Sequence, residues 1–173
     1  PFRVNSMNST LIRVAHLLGE SVVDGPGIRA VAFLQGCPRH CPGCHNPELL
    51  SADGGDECSA EQLADALLSE VTPIHRGITF SGGDPLLQAD VLGDVVFLLK
   101  RARPDLTIWL YTGYLFEEVR ELPVMNAIDV VVDGPYEQDK RDLTLPFRGS
   151  VNQRIIDVPA SLSQGKTVLW EQQ

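Results

Sequence analysis

Residues 77–112, GITFSGGDPLLQADVLGDVVFLLKRARPDLTIWLYT, place a long helical pattern between two short β-rich runs. GITFS (77–81) and LTIWLYT (106–112) are dominated by β-branched and aromatic residues, which suit a pleated, buried surface. The intervening LQADVLGDVVFLLKRAR (87–103) fits a helix that Pro104 terminates. Strand, helix and strand in this order predict a βαβ unit, whose two strands lie parallel.

The pattern extends in both directions. RAVAFLQ (29–35), IDVVVD (128–133) and QRIIDV (153–158) read as further strands, and LIRVAHLLGE (11–20) as another, ahead of the turn-rich DGPG at 24–27. SAEQLADALLSEV (59–71) predicts a helix: Ser59 and Gln62 form a capping box, and Leu63, Leu67 and Val71 make an apolar stripe. A shorter helix fits FEEVREL (116–122) before Pro123. The expected fold is therefore α/β, with function at the carboxyl ends of the strands. A closed eight-fold barrel takes about 250 residues, so this 173-residue chain predicts an incomplete TIM-like β/α barrel of five or six parallel strands. Such a barrel is open on one side, where a bulky substrate can reach the strand ends.

Composition narrows the function. The length suits a single domain, taken as 7–173, and PFRVNS (1–6), before Met7, reads as a remnant of expression. Fourteen Lys and Arg against 23 Asp and Glu leave a net charge of −9, the wrong sign for gathering nucleic acid or anionic lipid. No apolar run approaches the ~20 residues of a membrane span. A reducing cytoplasm is the expected compartment, where clustered cysteines read as metal or redox sites.

GCPRHCPGCHNPE (36–48) holds Cys37, Cys41 and Cys44. Fully extended, the stretch from Cys37 to Cys44 spans roughly 23 Å, so the loop must curl for all three sulfurs to meet one small object. Thiolates so grouped select zinc or an iron–sulfur cluster. Zinc would need His40, His45 or Cys58 as a fourth ligand. A four-iron cubane held by three cysteines keeps one iron open to a substrate or cofactor.

The Cys-x3-Cys-x2-Cys spacing resembles that of radical S-adenosylmethionine enzymes, and VDGPGIRAVAFLQGCPRHCPGCHNPE (23–48) resembles the opening of the glycyl-radical-enzyme activases. The resemblance implies a 4Fe-4S cluster on Cys37, Cys41 and Cys44, with S-adenosyl-L-methionine on the open iron. It implies no protein catalytic residue, since the 5′-deoxyadenosyl radical itself takes a hydrogen atom from a partner's backbone glycine. TFSGGDPLLQ (79–88) resembles the turn that receives the methionine amino group, which assigns Gly82, Gly83 and Asp84 to the cofactor. YTGY (111–114), VVVDGPY (130–136) and FRGSVNQRIIDV (147–158) are similar, more narrowly, to the activating proteins of anaerobic ribonucleoside-triphosphate reductase. That likeness implies Thr112 and Asp133 beside the adenosyl group, and Arg148, Asn152 and Arg154 on a loop facing cofactor or partner. The implied partners are the glycyl radical loop of the anaerobic ribonucleotide reductase large subunit and a flavodoxin-like electron donor. Such donors are acidic, so a local Lys/Arg patch is expected near the cluster.

Where the wider superfamily has an aromatic before the last cysteine, this chain has Gly43, followed by His45 after the cysteine; the Gly43–His45 backbone becomes the expected adenine contact. Cys58 matches no motif and reads as a spare thiol. Pyruvate formate-lyase activases share the opening but are longer. A zinc module without chemistry and a small-molecule radical enzyme, such as a deazaguanine synthase, are the other readings.

Overall fold

A computed structural model describes residues 11–172; the segment 1–6 lies outside the described residues. Seven strands form one sheet: β1 (Leu11–Ser21), β2 (Ile28–Leu34), β3 (Asp56–Ser59), β4 (His75–Gly82), β5 (Thr107–Tyr111), β6 (Val130–Asp133) and β7 (Arg154–Asp157), in the order β3-β1-β2-β4-β5-β6-β7. Four helices accompany them: α1 (Ala60–Glu70), α2 (Ala89–Ala102), α3 (Phe116–Val119) and α4 (Val158–Gln164). Among the described residues no helix is long and apolar enough to cross a membrane.

The run β2-β4-β5-β6 is parallel throughout, and the 77–112 stretch is a βαβ unit as its pattern predicts. The expectation of five or six parallel strands needs correcting, because β1, β3 and β7 pair antiparallel at the two ends of that run. The reason is the length and content of the connections. A parallel crossover takes about a dozen residues or more and usually a helix, whereas β1 turns directly into β2 through Val22–Gly27. Gly25 and Gly27 there adopt φ of +124° and +73°, in the region that favours glycine. The loop after β6 carries no α-helix either, so β7 returns beside β6 in the opposite sense.

One sheet face buries Ala30, Ala32, Ile78, Phe80, Ile108, Leu110 and Val131 against Leu63 and Leu67 of α1 and Val95, Val96 and Leu99 of α2. The capping box at Ser59 and Gln62 forms as expected. The other face carries Trp109, Val130 and Val132, covered by Phe147 and Trp170. Arg29 is fully buried, its guanidinium donating to Thr79 Oγ1 (2.8 Å), Thr107 Oγ1 (2.9 Å) and the Thr107 carbonyl (2.8 Å). Burial pulls Arg29 down to about 10, so it stays charged at neutral pH.

Candidate functional site

The parallel strands end at Leu34, Gly82, Tyr111 and Asp133, so the segments following them meet at one edge of the sheet. A cavity of about 630 Å³ opens there and extends over the face opposite the helices, where Phe33, Ser81 and Tyr111 line it. At the far end lie Val22 and Val23, which are mostly exposed.

The cysteine loop is anchored at its base. Gly36 N–H donates to the Leu49 carbonyl at 2.7 Å and Cys37 N–H to the Leu50 carbonyl at 3.1 Å; Gln35 Nε2 adds a bond to the Ser51 carbonyl at 2.8 Å. Cys44 N–H closes a turn on the Cys41 carbonyl at 3.1 Å. Cys37, Cys41 and Cys44 all line the cavity, each partly accessible, and burial pushes the Cys37 thiol up. Three soft thiols on one short loop, facing one cavity, suit an iron–sulfur cluster with a free metal position. Among the described residues no three His, Cys, Asp or Glu side chains are drawn together as a site for a single metal ion.

The Gly-Gly-Asp turn is fastened directly beneath that loop. Gly83 N–H donates to the Leu34 carbonyl and Asp84 N–H to the Gly36 carbonyl, both at 2.8 Å. Gly82 has φ of +112°, and a Cβ there would stand 2.4 Å from Leu34 N and O. Both glycines and Asp84 line the cavity.

Asp84 is 1% exposed and accepts from four donors. Leu86 N–H (3.1 Å) and Thr112 Oγ1 (3.0 Å) reach Oδ1; Gly113 N–H (3.0 Å) and Arg39 Nη1 (3.1 Å) reach Oδ2. Burial pushes its pKa up, opposed by the Gly113 and Leu86 amides, Thr112 and Arg39. Thr112, at the end of β5, thus joins the same site. Arg39, between two of the cysteines, was not singled out by its sequence pattern. Its guanidinium lies 3.9 Å from the Tyr114 ring centroid and against Gly113.

His45 lines the cavity, and its ring meets Tyr136 at 5.0 Å. Gly43 adopts φ of +74°, and a Cβ there would fall 2.9 Å from Gln138. A side chain at position 43 would be strained by that φ and would have to displace Gln138, and Tyr136, from the loop after β6, supplies a ring beside the cysteine loop. Tyr136 sits in the quoted VVVDGPY, but nothing in that pattern marks it as facing the cysteines.

Other expected residues lie elsewhere. Asp133 is fully buried and outside the cavity lining: Arg154 Nε reaches its Oδ1 at 3.1 Å, and the Phe116 amide reaches Oδ2 at 2.7 Å. Arg154 also grips Glu117 through Nη1 at 3.0 Å and Nη2 at 2.7 Å. These groups tie β6, β7 and α3 together. FRGSVNQR mostly closes its own loop. Asn152 Nδ2 donates to the Pro135 carbonyl (2.8 Å), Gln153 Nε2 to the Gly134 carbonyl (3.1 Å), and Arg148 Nη1 to the Gln153 carbonyl (2.8 Å). Of Arg148, Asn152 and Arg154, Arg148 alone lines the cavity. Cys58 packs against the main core from β3, at the opposite end of the sheet order from β7.

Residues 23–156 match the family model of the 4Fe-4S single cluster domain. The anaerobic ribonucleoside-triphosphate reductase-activating protein of Salmonella typhi is 39% identical over 140 residues, 76% of this chain and 90% of that protein. The protein of the same name from Escherichia coli K12 is 38% identical with the same coverage, and that of Enterobacteria phage T4 is 36% identical over 77% of this chain and 86% of its own. A crystal structure of QueE from Escherichia coli matches 61% of this chain and 54% of its own at 18% identity and a TM-score of 0.44. The chain therefore belongs to the anaerobic ribonucleoside-triphosphate reductase-activating protein family, with a 4Fe-4S single cluster domain over most of its length.

Proposed function

We propose that this protein activates an anaerobic ribonucleoside-triphosphate reductase by reductively cleaving S-adenosyl-L-methionine at a 4Fe-4S cluster and generating a glycyl radical on the reductase large subunit. The observation that carries the reading is one cavity lined by Cys37, Cys41 and Cys44, by the Gly82–Gly83–Asp84 turn and by Thr112. In bound form, the cluster and S-adenosyl-L-methionine supply the electron and the 5′-deoxyadenosyl radical that takes hydrogen from a glycine Cα.

The chain's own residues bind, orient and exclude water. The three cysteines hold the cluster. Gly82 and Gly83 allow close backbone approach, Asp84 offers a carboxylate at that turn, and the His45 and Tyr136 rings form the wall offered to adenine beside the Gly43–His45 backbone. Asp133 supports this arrangement indirectly, by holding α3 and β7 against β6. The sheet ends at β3 on one side and at β7, paired with residues 168–170, on the other, which fits an incomplete barrel formed by a single unit over 7–173. The mouth at Val22, Val23 and Leu143 is apolar and exposed, which suits entry of a partner's loop. An acidic flavodoxin-like donor in a reducing cytoplasm fits Arg39 and Arg148 in the cavity wall and Lys140 and Arg141 on the Arg148 loop.

The test is an anoxic mixture of reconstituted protein, reductant, S-adenosyl-L-methionine and reductase large subunit. A glycyl-type doublet in electron paramagnetic resonance with stoichiometric 5′-deoxyadenosine is expected. Radical formation on pyruvate formate-lyase alone would reassign the partner, and a colourless protein holding zinc would end the radical reading.

A further inference from the structure

The connection from β6 to β7 carries a loop that closes on itself. Arg141 bridges to Ser150, Asp142 N–H donates to the Gly149 carbonyl at 3.2 Å, and Val151 N–H donates to the Lys140 carbonyl at 2.8 Å. Asp142 Oδ1 accepts from Thr144 N–H at 2.8 Å and from the Thr144 hydroxyl at 2.6 Å, which turns the chain. Leu143, Leu145, Pro146 and Phe147 of this loop line the cavity, and Leu143 is 79% exposed.

Phe147 decides where the loop stands. Its φ is +61°, and among the described residues it is the one non-glycine in the left-handed region, which a bulky side chain occupies only when its surroundings hold it there. The Tyr111 hydroxyl provides that hold by donating to the Phe147 carbonyl at 2.6 Å, and the Phe147 ring meets Trp109 edge-on at 5.5 Å. Tyr111 ends β5, which is paired on both sides, by β4 and by β6, and so gives the bond a rigid base. Burial pushes the pKa of its phenol well up, so the hydroxyl stays a donor at neutral pH.

The loop has a counterpart. Val22 and Val23, in the β1–β2 turn, bound the same cavity from the other flank of the parallel run and are 67% and 70% exposed. A polypeptide whose backbone glycine enters this cavity presents the residues on either side of that glycine to these two apolar groups. We propose that Tyr111 is a positioning residue for the protein substrate: through Phe147 it sets the 142–149 loop as one of two apolar lips, with Val22 and Val23 as the other, that clasp an extended segment bearing apolar side chains on both sides of the reacting glycine. This rests on the function proposed above and adds contacts to the protein substrate, made by residues other than those given to the cluster and the cofactor.

The test varies the concentration of reductase large subunit in the anoxic radical assay and sets it beside hydrogen exchange of the amides of residues 142–149. Tyr111→Phe keeps the ring and removes the hydroxyl; Leu143→Asp puts a charge on the exposed lip. Loss of one neutral hydrogen bond should raise the apparent KM for the subunit roughly two- to tenfold in Tyr111→Phe and quicken exchange in the loop by a similar factor. Leu143→Asp should raise KM at least as much. The maximal rate of radical formation and the affinity for S-adenosyl-L-methionine should stay at wild-type values in both. Faster exchange with a wild-type KM would leave the loop without a part in docking and overturn the proposal. Unchanged exchange in Tyr111→Phe would overturn it too, as would a loss of S-adenosyl-L-methionine affinity equal to the rise in KM. Should Tyr111→Phe not fold, Leu143→Asp decides: a wild-type KM overturns the proposal, and a raised KM with normal S-adenosyl-L-methionine affinity supports it. Failure of the unaltered protein to form a glycyl radical on the subunit at any concentration would instead overturn the function proposed above.

Discussion

A Cβ on Gly83 would stand 2.3 Å from the Gly36 carbonyl oxygen, closer than any real Cβ contact. That carbonyl also accepts the Asp84 amide at 2.8 Å, so the cysteine loop and the Gly-Gly-Asp turn are fitted backbone to backbone. Both listeners to this contact are main chain and neither can swing aside.

Gly83→Ala is therefore expected to push the cysteine loop off the strand ends. Overpacking of this kind costs about 1–3 kcal/mol, and the damage should fall first on cluster loading. Iron content after anoxic reconstitution, set beside the urea midpoint of the same sample, is the measurement. Full loading would show that the loop tolerates separation from the turn.

The cysteines divide by location. Replacing Cys37, Cys41 or Cys44 with serine should abolish the cluster, because each thiol faces the cavity. Cys58→Ser should load iron normally and cost about 1 kcal/mol of stability, since it puts a hydroxyl against the main core. Iron loss in Cys58→Ser alone would overturn the ligand assignment.

How far the sequence was legible follows from what each signal depends on. The βαβ unit and α1 were readable because periodicity, Pro104 and the Ser59–Gln62 box are local. Strand direction at the sheet ends was not, since β1 and β7 look alike in composition whether parallel or antiparallel, and only their connections decide. The four-residue β3, DECS, is too short and acidic to read as a strand, and pairs because β1 extends far enough to receive it. In the site, cysteines and glycines were legible by spacing. Arg39 and Tyr136 were not, because their roles depend on which distant loop packs against the cysteines.

Asp133 separates a cofactor contact from a structural ion pair. Removing one partner of a fully buried pair typically costs about 3–5 kcal/mol; Asp133 is fully buried, but Arg154 is one third exposed and keeps Glu117 as a partner, so the cost should fall below that range. Asp133→Asn should lower the unfolding midpoint. The surviving folded, cluster-loaded protein should bind S-adenosyl-L-methionine with near-normal affinity. A stable variant with weakened binding would return Asp133 to the cofactor.

Glu117 gives a pH signature for the same network. Arg154 donates two bonds to its carboxylate and Thr167 Oγ1 a third at 2.7 Å, and these hold its pKa down at about 2. The ordinary value for Glu is about 4.3, so between the two the unfolded chain binds more protons than the folded one, and stability rises with pH. The contribution is complete above the unfolded value and is lost as pH falls through the folded one. Because Glu117 is about half exposed, with 49% of its side chain accessible, solvent screens the pair; its worth is that of a surface ion pair, about 0.2–1 kcal/mol. Urea unfolding of wild type and Glu117→Gln at several pH values between 6 and 2 checks this. The difference between the two proteins should be constant at the upper end and shrink toward zero near the lower. A difference that stays flat to the most acidic point would mean that Arg154 draws its stabilising charge from Asp133 alone.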